Sequence, residues 1–497
     1  MTSIVQLRAK ARARTESGDL NLLLVVLCLA QFMVVLDVSV VNVALPSIRR
    51  ALGFSATDLE WVINAYTLTF AGFLMLGGRA ADLLGRRRMF LAGIALFTLA
   101  SLVCAVADSR ALLLSARAVQ GVGAAVVSPA SLSIIATSFA VGAERNRALG
   151  VWGAMAGLGA ASGALLGGIL TQTLGWWAIF AVNVPVGAAV VLLAPGVVPE
   201  GRRVGAARNF DLSGALLVTG GLTALTYGIV RSDALGWGSP GVIGPIGAGV
   251  VLLALFVLVE GRFATAPLVP LSIFRMPLLR AANVIVLLLY SATLAMFFFV
   301  SLYLQQVRHF DALQTGFAFL PMPLFATLGS TLAPRLVARF GARRTVTVGM
   351  LFAATGLALL TGAGPGSSYV THVLPGGVLS ALGLGLTLVP STIMAVQGVA
   401  PEQSGLASGL INTSRFVGGA LGIAVLGTVA ASHTRHVVAT GVGPLQALSD
   451  GYQLGLEVGA IVCLVGAVVA ASFLRDRPRR DLAAVPGEGE EAEALAA

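Results

Sequence analysis

The sequence predicts an all-α membrane protein with fourteen transmembrane helices, arranged as two six-helix bundles plus two extra central helices. Three observations carry this expectation. Apolar runs long enough to cross a bilayer recur along the whole chain. Arginine is concentrated in alternate short loops between them. The two halves of the chain also repeat each other.

With 57% hydrophobic and only 11% charged residues over 497 positions, and a mean hydropathy of +0.91, the chain is too apolar for a soluble domain. Runs bounded by charge or by proline and glycine place the spanners at 20–45, 59–80, 89–107, 111–138, 147–171, 176–197, 211–231, 241–261, 279–306, 313–334, 344–363, 370–397, 404–432 and 452–474. The N-terminal run carries Asp37 and is too long for a signal-peptide core, so it is read as a retained first spanner. The domain division that follows is a cytoplasmic segment 1–19, a first six-helix bundle 20–197, a linker with the two extra helices 198–278, a second bundle 279–474 and a disordered cytoplasmic tail 475–497.

Segments on the side of the N-terminus hold 24 arginines and lysines and the opposite side 6, with Arg117 and Arg415 inside spanners. This bias puts both termini in the cytoplasm of a multi-pass protein of the cytoplasmic membrane. The net charge of +10 is spread over loops and lines no single face, which excludes nucleic acid as a partner. Glycine clusters lie within spans, so no nucleotide-binding loop is expected. Cys28, Cys104 and Cys463 sit singly in apolar runs, and no metal cluster, cofactor site or catalytic constellation is present in the pattern, so the chain does not read as an enzyme.

One loop stands out. Gly78 to Arg88, GRAADLLGRRR, joins the second and third spanners. Gly85 is placed to adopt a left-handed backbone and end a helix, Asp82 to accept hydrogen bonds from a guanidinium or a helix end, and Arg86, Arg87 and Arg88 to mark the cytoplasmic side; with Gly78 they are the expected cytoplasmic gate loop, in which Asp82 and the arginines would hold the inner gate closed by bridging the bundles. Pro334 to Arg344, PRLVARFGARR, repeats the spacing with Gly341 on Gly85, and GVGAAVVSPAS from Gly121 is echoed by GLGLTLVPST from Gly383. Such symmetry marks transporters with a site between two related bundles.

The loop resembles the signature loop of the major facilitator superfamily, with Ala80 and Leu83 where that pattern usually has leucine and arginine. LDVSVVNVALP from Leu36, WVINAYTL from Trp61, IFAVNVPVG from Ile179 and GLASGLINTSRFVGGALG from Gly405 narrow the resemblance to its fourteen-spanner drug:proton antiporters, the EmrB/QacA-like exporters. What this implies is the major facilitator fold and export of a drug or antibiotic-like metabolite against inward proton flow. The antiporter pattern Gly-Pro-xx-Gly-Gly of the fifth spanner reads GALLGG here, Gly163 to Gly168, with Ala164 in the proline position.

Intramembrane charge then locates the candidate site. Asp37 lies roughly 13 Å inside the outer end of its helix and Arg117 roughly 10 Å inside its own, so the two can meet at similar depth and serve proton coupling. The alternatives are a carboxyl held neutral or capped by Ser39 or Asn42, and an arginine that snorkels to the outer surface. Asn42, Tyr66, Gln120 and Arg415 are the expected lining of the substrate cavity. Gly159, Gly163 and Gly167 recur every fourth residue, with Gly168 beside them, so the fifth spanner presents a face for close helix approach. Asp58 and Glu60 are expected to be solvated at the outer mouth, and Glu457 to be interfacial. The cavity is thus poor in carboxylates and suits neutral or anionic amphipathic aromatics better than dications. The partners expected are a small hydrophobic or amphipathic substrate, protons and the lipid bilayer. A proton-coupled importer or facilitator on the same fold is the nearest alternative function, and a non-transporting membrane receptor or assembly protein the alternative of another class.

Overall fold

In the computed structural model the described residues are 2–55, 57–140, 143–200, 211–264, 267–396, 399 and 404–474. Fourteen of their helices are long and apolar enough to cross a membrane. They are α1 (Leu20–Leu52), α2 (Asp58–Ala81), α3 (Arg86–Ala105), α4 (Arg110–Ser138), α5 (Arg147–Thr173), α6 (Ala178–Val197), α7 (Leu212–Ser232), α8 (Pro240–Phe263), α9 (Pro277–Val307), α10 (Ala312–Phe340), α11 (Ala342–Leu360), α12 (Tyr369–Ala395), α13 (Leu406–Ala439) and α14 (Pro444–Phe473). Every expected spanner has its helix. The tail from 475 lies outside the described residues.

Helix ends differ where the sequence pattern of hydropathy stops before the hydrogen bonding does. The first helix runs past Pro46 to Leu52, with Arg49 and Arg50 in its last turn, where cations complement the carbonyl ends. Gly53 at φ 68° then ends it. The last helix begins at Pro444, eight residues before the apolar run, because proline at the first helical position gives up no hydrogen bond.

The two halves pack by one plan. Helix α4 lies against α2 and α3, α5 against α1, and α6 against α3; in the second half α12 lies against α10 and α11, α13 against α9, and α14 against α11. The correspondence reaches individual atoms. A Cβ at Gly123 of α4 would stand 3.0 Å from the Gly93 carbonyl of α3, and one at Gly383 of α12 would stand 2.4 Å from the Gly349 carbonyl of α11. Both pairs of helices therefore cross backbone to backbone. Gly85, which stops the helical turns that continue α2 to Leu84, and Gly341, which ends α10, have φ of 104° and 90°, a region closed to most side chains.

The halves meet along two equivalent seams, α2 with α13 and α5 with α10, and α7 lies on the first of these. At the face away from the arginine-rich loops one apolar core runs through both halves, from Leu45 and Ile48 of α1 to Leu304 and Val307 of α9. There Ser301 Oγ donates to the Asn42 carbonyl (2.6 Å) and Gln305 Nε2 to the Val43 carbonyl (2.9 Å), which closes that end of α1 against α9.

Candidate functional site

Asp37 is fully buried and its carboxylate is surrounded by donors from two other helices. Arg117 Nη1 of α4 donates to Oδ2 at 2.5 Å, and Gln120 Nε2 (2.7 Å) and Asn183 Nδ2 of α6 (3.0 Å) donate to Oδ1. The guanidinium is in turn held from several sides. Its Nε donates to the Val62 carbonyl of α2 at 2.9 Å, and Nη1 also donates to Gln120 Oε1 at 2.7 Å. The Tyr66 ring lies under it at 4.5 Å and the Phe180 ring at 5.6 Å. Gln120 also donates to Ser101 Oγ of α3 at 2.8 Å.

A carboxylate and a guanidinium removed from water each need this much partnering, since an unpaired ion at that depth costs several kcal/mol. The spacing explains the choice of residues. Arg117 and Gln120 are one turn apart on α4 and point the same way, so one cation and one amide reach the same carboxylate. Besides its counter-charge on Asp37, the Arg117 cation has the Val62 carbonyl, the Gln120 amide oxygen and two ring faces.

From Arg117 the contacts lead to the second half. Tyr66 and Phe70 of α2 stack at 6.0 Å, Phe70 meets Phe416 of α13 at 4.2 Å, and Arg415 lies 5.9 Å from Phe416 and 4.8 Å from Tyr290 of α9. Arg415 Nη1 donates to Asn412 Oδ1 (2.9 Å), while its Nε is buried without a partner. The four residues expected to line a cavity therefore separate. Tyr66 and Gln120 are fully buried around Arg117, because a long cation in an apolar bundle draws in the polar and aromatic side chains of its neighbours. Asn42 is part of the α1–α9 closure, and Arg415 lies on the α2–α13 side among aromatic rings.

The glycines of α5 bracket the same carboxylate. A Cβ at Gly159 would lie 3.0 Å from Val35 Cβ, at Gly163 2.6 Å from Ser39 Cβ, and at Gly167 2.9 Å from the Val40 carbonyl, so α5 rests on α1 on both sides of Asp37. Gly168 is turned the other way. Its Cβ would lie 2.5 Å from the Ala312 carbonyl of α10, and the Ala164 carbonyl abuts Gly316.

Near the end of α2, Gly78 faces Pro129 of α4, and Arg86 opens α3, half-buried. Arg87 Nη2 donates to the Pro195 carbonyl at 2.5 Å, and Arg88 pairs with Glu200 at 3.5 Å. These two arginines hold the loop to the end of α6 in their own bundle. Arg79 makes the longer reach, donating to the Pro267 carbonyl ahead of α9 at 3.1 Å. The Asp82 side chain lies outside the described residues.

Glu60 is not solvated as expected. It is only 2% exposed and, with the half-buried Asp58, lines a cavity of about 500 Å³ at the closed face, walled by α1, α2, α7, α9, α13 and α14. Gly427 of α13 makes the room: a Cβ there would overlap the Glu60 carboxylate. Glu457 is exposed on α14, well inside the start of that helix.

Residues 27–423 match the family model of the Major Facilitator Superfamily. The chain belongs to the major facilitator superfamily. It is therefore a multi-pass membrane transporter and not an enzyme. It is 43% identical over 440 residues to the cephamycin export protein CmcT of Amycolatopsis lactamdurans, covering 87% of this chain and 90% of that one. To the puromycin resistance protein pur8 of Streptomyces alboniger it is 42% identical over 462 residues, covering 91% of each. A crystal structure of the nucleoside transporter NupG, at 12% identity, superposes with a TM-score of 0.66 over 91% of this chain and 100% of that one, a likeness of fold.

Within this superfamily frame, sequence reasoning missed Asn183 and Ser101 as members of the Asp37 cluster. Asn183 stood in the quoted stretch IFAVNVPVG as a lone amide in an apolar helix, which was the available signal. Ser101 gave none, since a single hydroxyl inside a spanner usually satisfies its own helix, as this one does through the Phe97 carbonyl.

Proposed function

We propose that this chain exports hydrophobic or amphipathic drugs or antibiotic-like metabolites across the cytoplasmic membrane by proton antiport, with both termini in the cytoplasm. The observation that carries the coupling is the buried Asp37–Arg117 pair. An ion pair in the middle of a bundle is expensive to keep, and it has a second state, with Asp37 protonated, in which Arg117 needs other partners. The substrate class is supported by relatives whose names are those of a cephamycin exporter and a puromycin resistance protein. Arg415 among Tyr290 and Phe416 favours neutral or anionic aromatics over dications. The orientation rests on the arginine asymmetry of the loops.

In the proposed cycle Asp37 takes a proton from outside, and its release to the cytoplasm accompanies resetting of the substrate site. The glycine face of α5, lying on α1 around Asp37 and on α10 through Gly168, gives the proton site a mechanical path to the bundle seam. The test uses inside-out vesicles with an acidic interior and a pH-sensitive dye, to which aromatic antibiotics are added. Proton escape that depends on the added compound is expected in the wild type and not in Asp37→Asn at equal protein level. Equal movement of labelled compound with no proton signal would refute antiport and leave a facilitator.

A further inference from the structure

The inserted helices carry a second pair of buried carboxyl groups, remote in sequence from Asp37. Asp211 caps α7: its Oδ1 accepts from the Gly214 amide (2.7 Å) and the Ser213 hydroxyl (2.8 Å). Glu260, in the last turn of α8, accepts the Val269 amide on Oε2 at 3.2 Å. The remaining oxygens, Asp211 Oδ2 and Glu260 Oε1, are buried and receive no donor from an amide, hydroxyl or cation. Both lie 2.7 Å from the point where a Cβ of Gly214 would stand, and the two carboxyl groups are in hydrogen-bond contact. The residues are 6% and 4% exposed.

Two carboxylates in contact, away from water, cannot both remain ionised, so one of the pair holds an acid proton. We propose that Asp211 and Glu260 share one proton and form a second proton-binding site, at the arginine-rich face of the inserted helix pair, whose occupancy holds the α8–α9 linker in place. The donor count says where the proton sits. Asp211 Oδ1 takes two donors and Glu260 Oε2 one, while the Leu268 amide adjoins both carboxyl groups, so Asp211 is the anion and Glu260 carries the proton toward it. Loss of that proton to water leaves two adjoining carboxylates, which repel.

The linker transmits the change. Val269 is bound to Glu260 through its amide, and the Leu268 and Val269 side chains are buried with Ala407 and Leu410 of α13, while the neighbouring Pro267 carbonyl takes Arg79 of α2. The site thus fastens a segment that touches both bundles. The cations of the neighbouring elements do not neutralise it: Arg79 is turned to Pro267, and Arg262, Arg275 and Arg280 are exposed. Arg202, Arg203 and Arg208, and the Asp82 side chain, lie outside the described residues.

The experiment uses the full-length protein in lipid nanodiscs and needs no transport. Infrared difference spectra over a pH titration should show a protonated-carboxyl band that is lost in Glu260→Gln and kept in Asp37→Asn. Hydrogen exchange at Leu268 and Val269, corrected for intrinsic rates, should lose protection as pH rises in the wild type and stay flat in Glu260→Gln, whose amide donates to Asp211 without titrating. A band that survives Glu260→Gln, or wild-type protection that is the same at the acidic and alkaline limits, would overturn the proposal. Because the wild-type exchange measurement stands alone, a misfolded variant does not rescue it. Neither readout depends on Asp37, so antiport and this site can fail separately.

Discussion

Phe70 of α2 and Phe416 of α13 meet with ring centroids 4.2 Å apart, and through them the cation buried in the first bundle is joined to the cation at the seam of the second. Tyr66 connects Phe70 to Arg117, and Phe416 adjoins Arg415. Aromatic contacts of this kind contribute about 0.5–1.5 kcal/mol beyond the area they bury.

Phe416→Leu keeps most of the volume and removes the ring. Compound-dependent proton escape in vesicles is expected to fall several-fold, while the unfolding midpoint in detergent shifts by the equivalent of about 1 kcal/mol. Full proton escape with this variant would mean that the ring contact plays no part in coupling.

Asp37→Asn leaves Arg117 buried without a counter-ion, and loss of stability by about 3–5 kcal/mol is expected from thermal melts. The double variant Asp37→Asn/Arg117→Gln removes both charges and should recover most of that loss. It should still give no proton signal, which separates the structural cost from the functional one.

Gly163→Ala forces a methyl group to within 2.6 Å of Ser39 Cβ, so α5 must move off α1. A loss of about 1–3 kcal/mol is expected. Gly150→Ala, on the same helix but facing open space, is the control and should leave the melting temperature unchanged or slightly raised.

Asp211 gives a pH dependence with a definite sign. Burial pushes its carboxyl up, but the Gly214 amide and Ser213 hydroxyl outweigh that and hold it below the ordinary carboxylate value of 3.8. Its stabilisation is therefore complete above that value and is lost as pH falls further, through the lowered folded-state value. Asp211→Ala should cost about 1 kcal/mol near neutrality and remove the acid-side loss at the start of α7, measured by hydrogen exchange there.

Hydropathy and arginine spacing made the helices legible, because both are set locally by the bilayer. The meeting of Asp37 and Arg117 was legible too, from depth along two helices. What sequence could not supply was rotation and neighbours. Gln120 and Tyr66 read as cavity lining from their positions beside Arg117, but α2 and α4 turn both inward. Glu60 read as solvated because it lies beside a helix end, and only the absence of a side chain at Gly427, hundreds of residues away, encloses it. The Asp211–Glu260 contact is hidden for the same reason: each residue alone is an ordinary acid at the end of a spanner.

The two seams, equivalent in the duplicated frame, are not equivalent in surroundings. The α2–α13 seam is backed by α7, whereas Leu158 of α5 and Phe317 and Leu324 of α10 stand bare on the other flank. If the halves rock, one crack opens behind a protein wall and the other toward acyl chains. A greasy solute dissolved in the leaflet would then find a doorway on one side of the molecule, with α7 standing across the other.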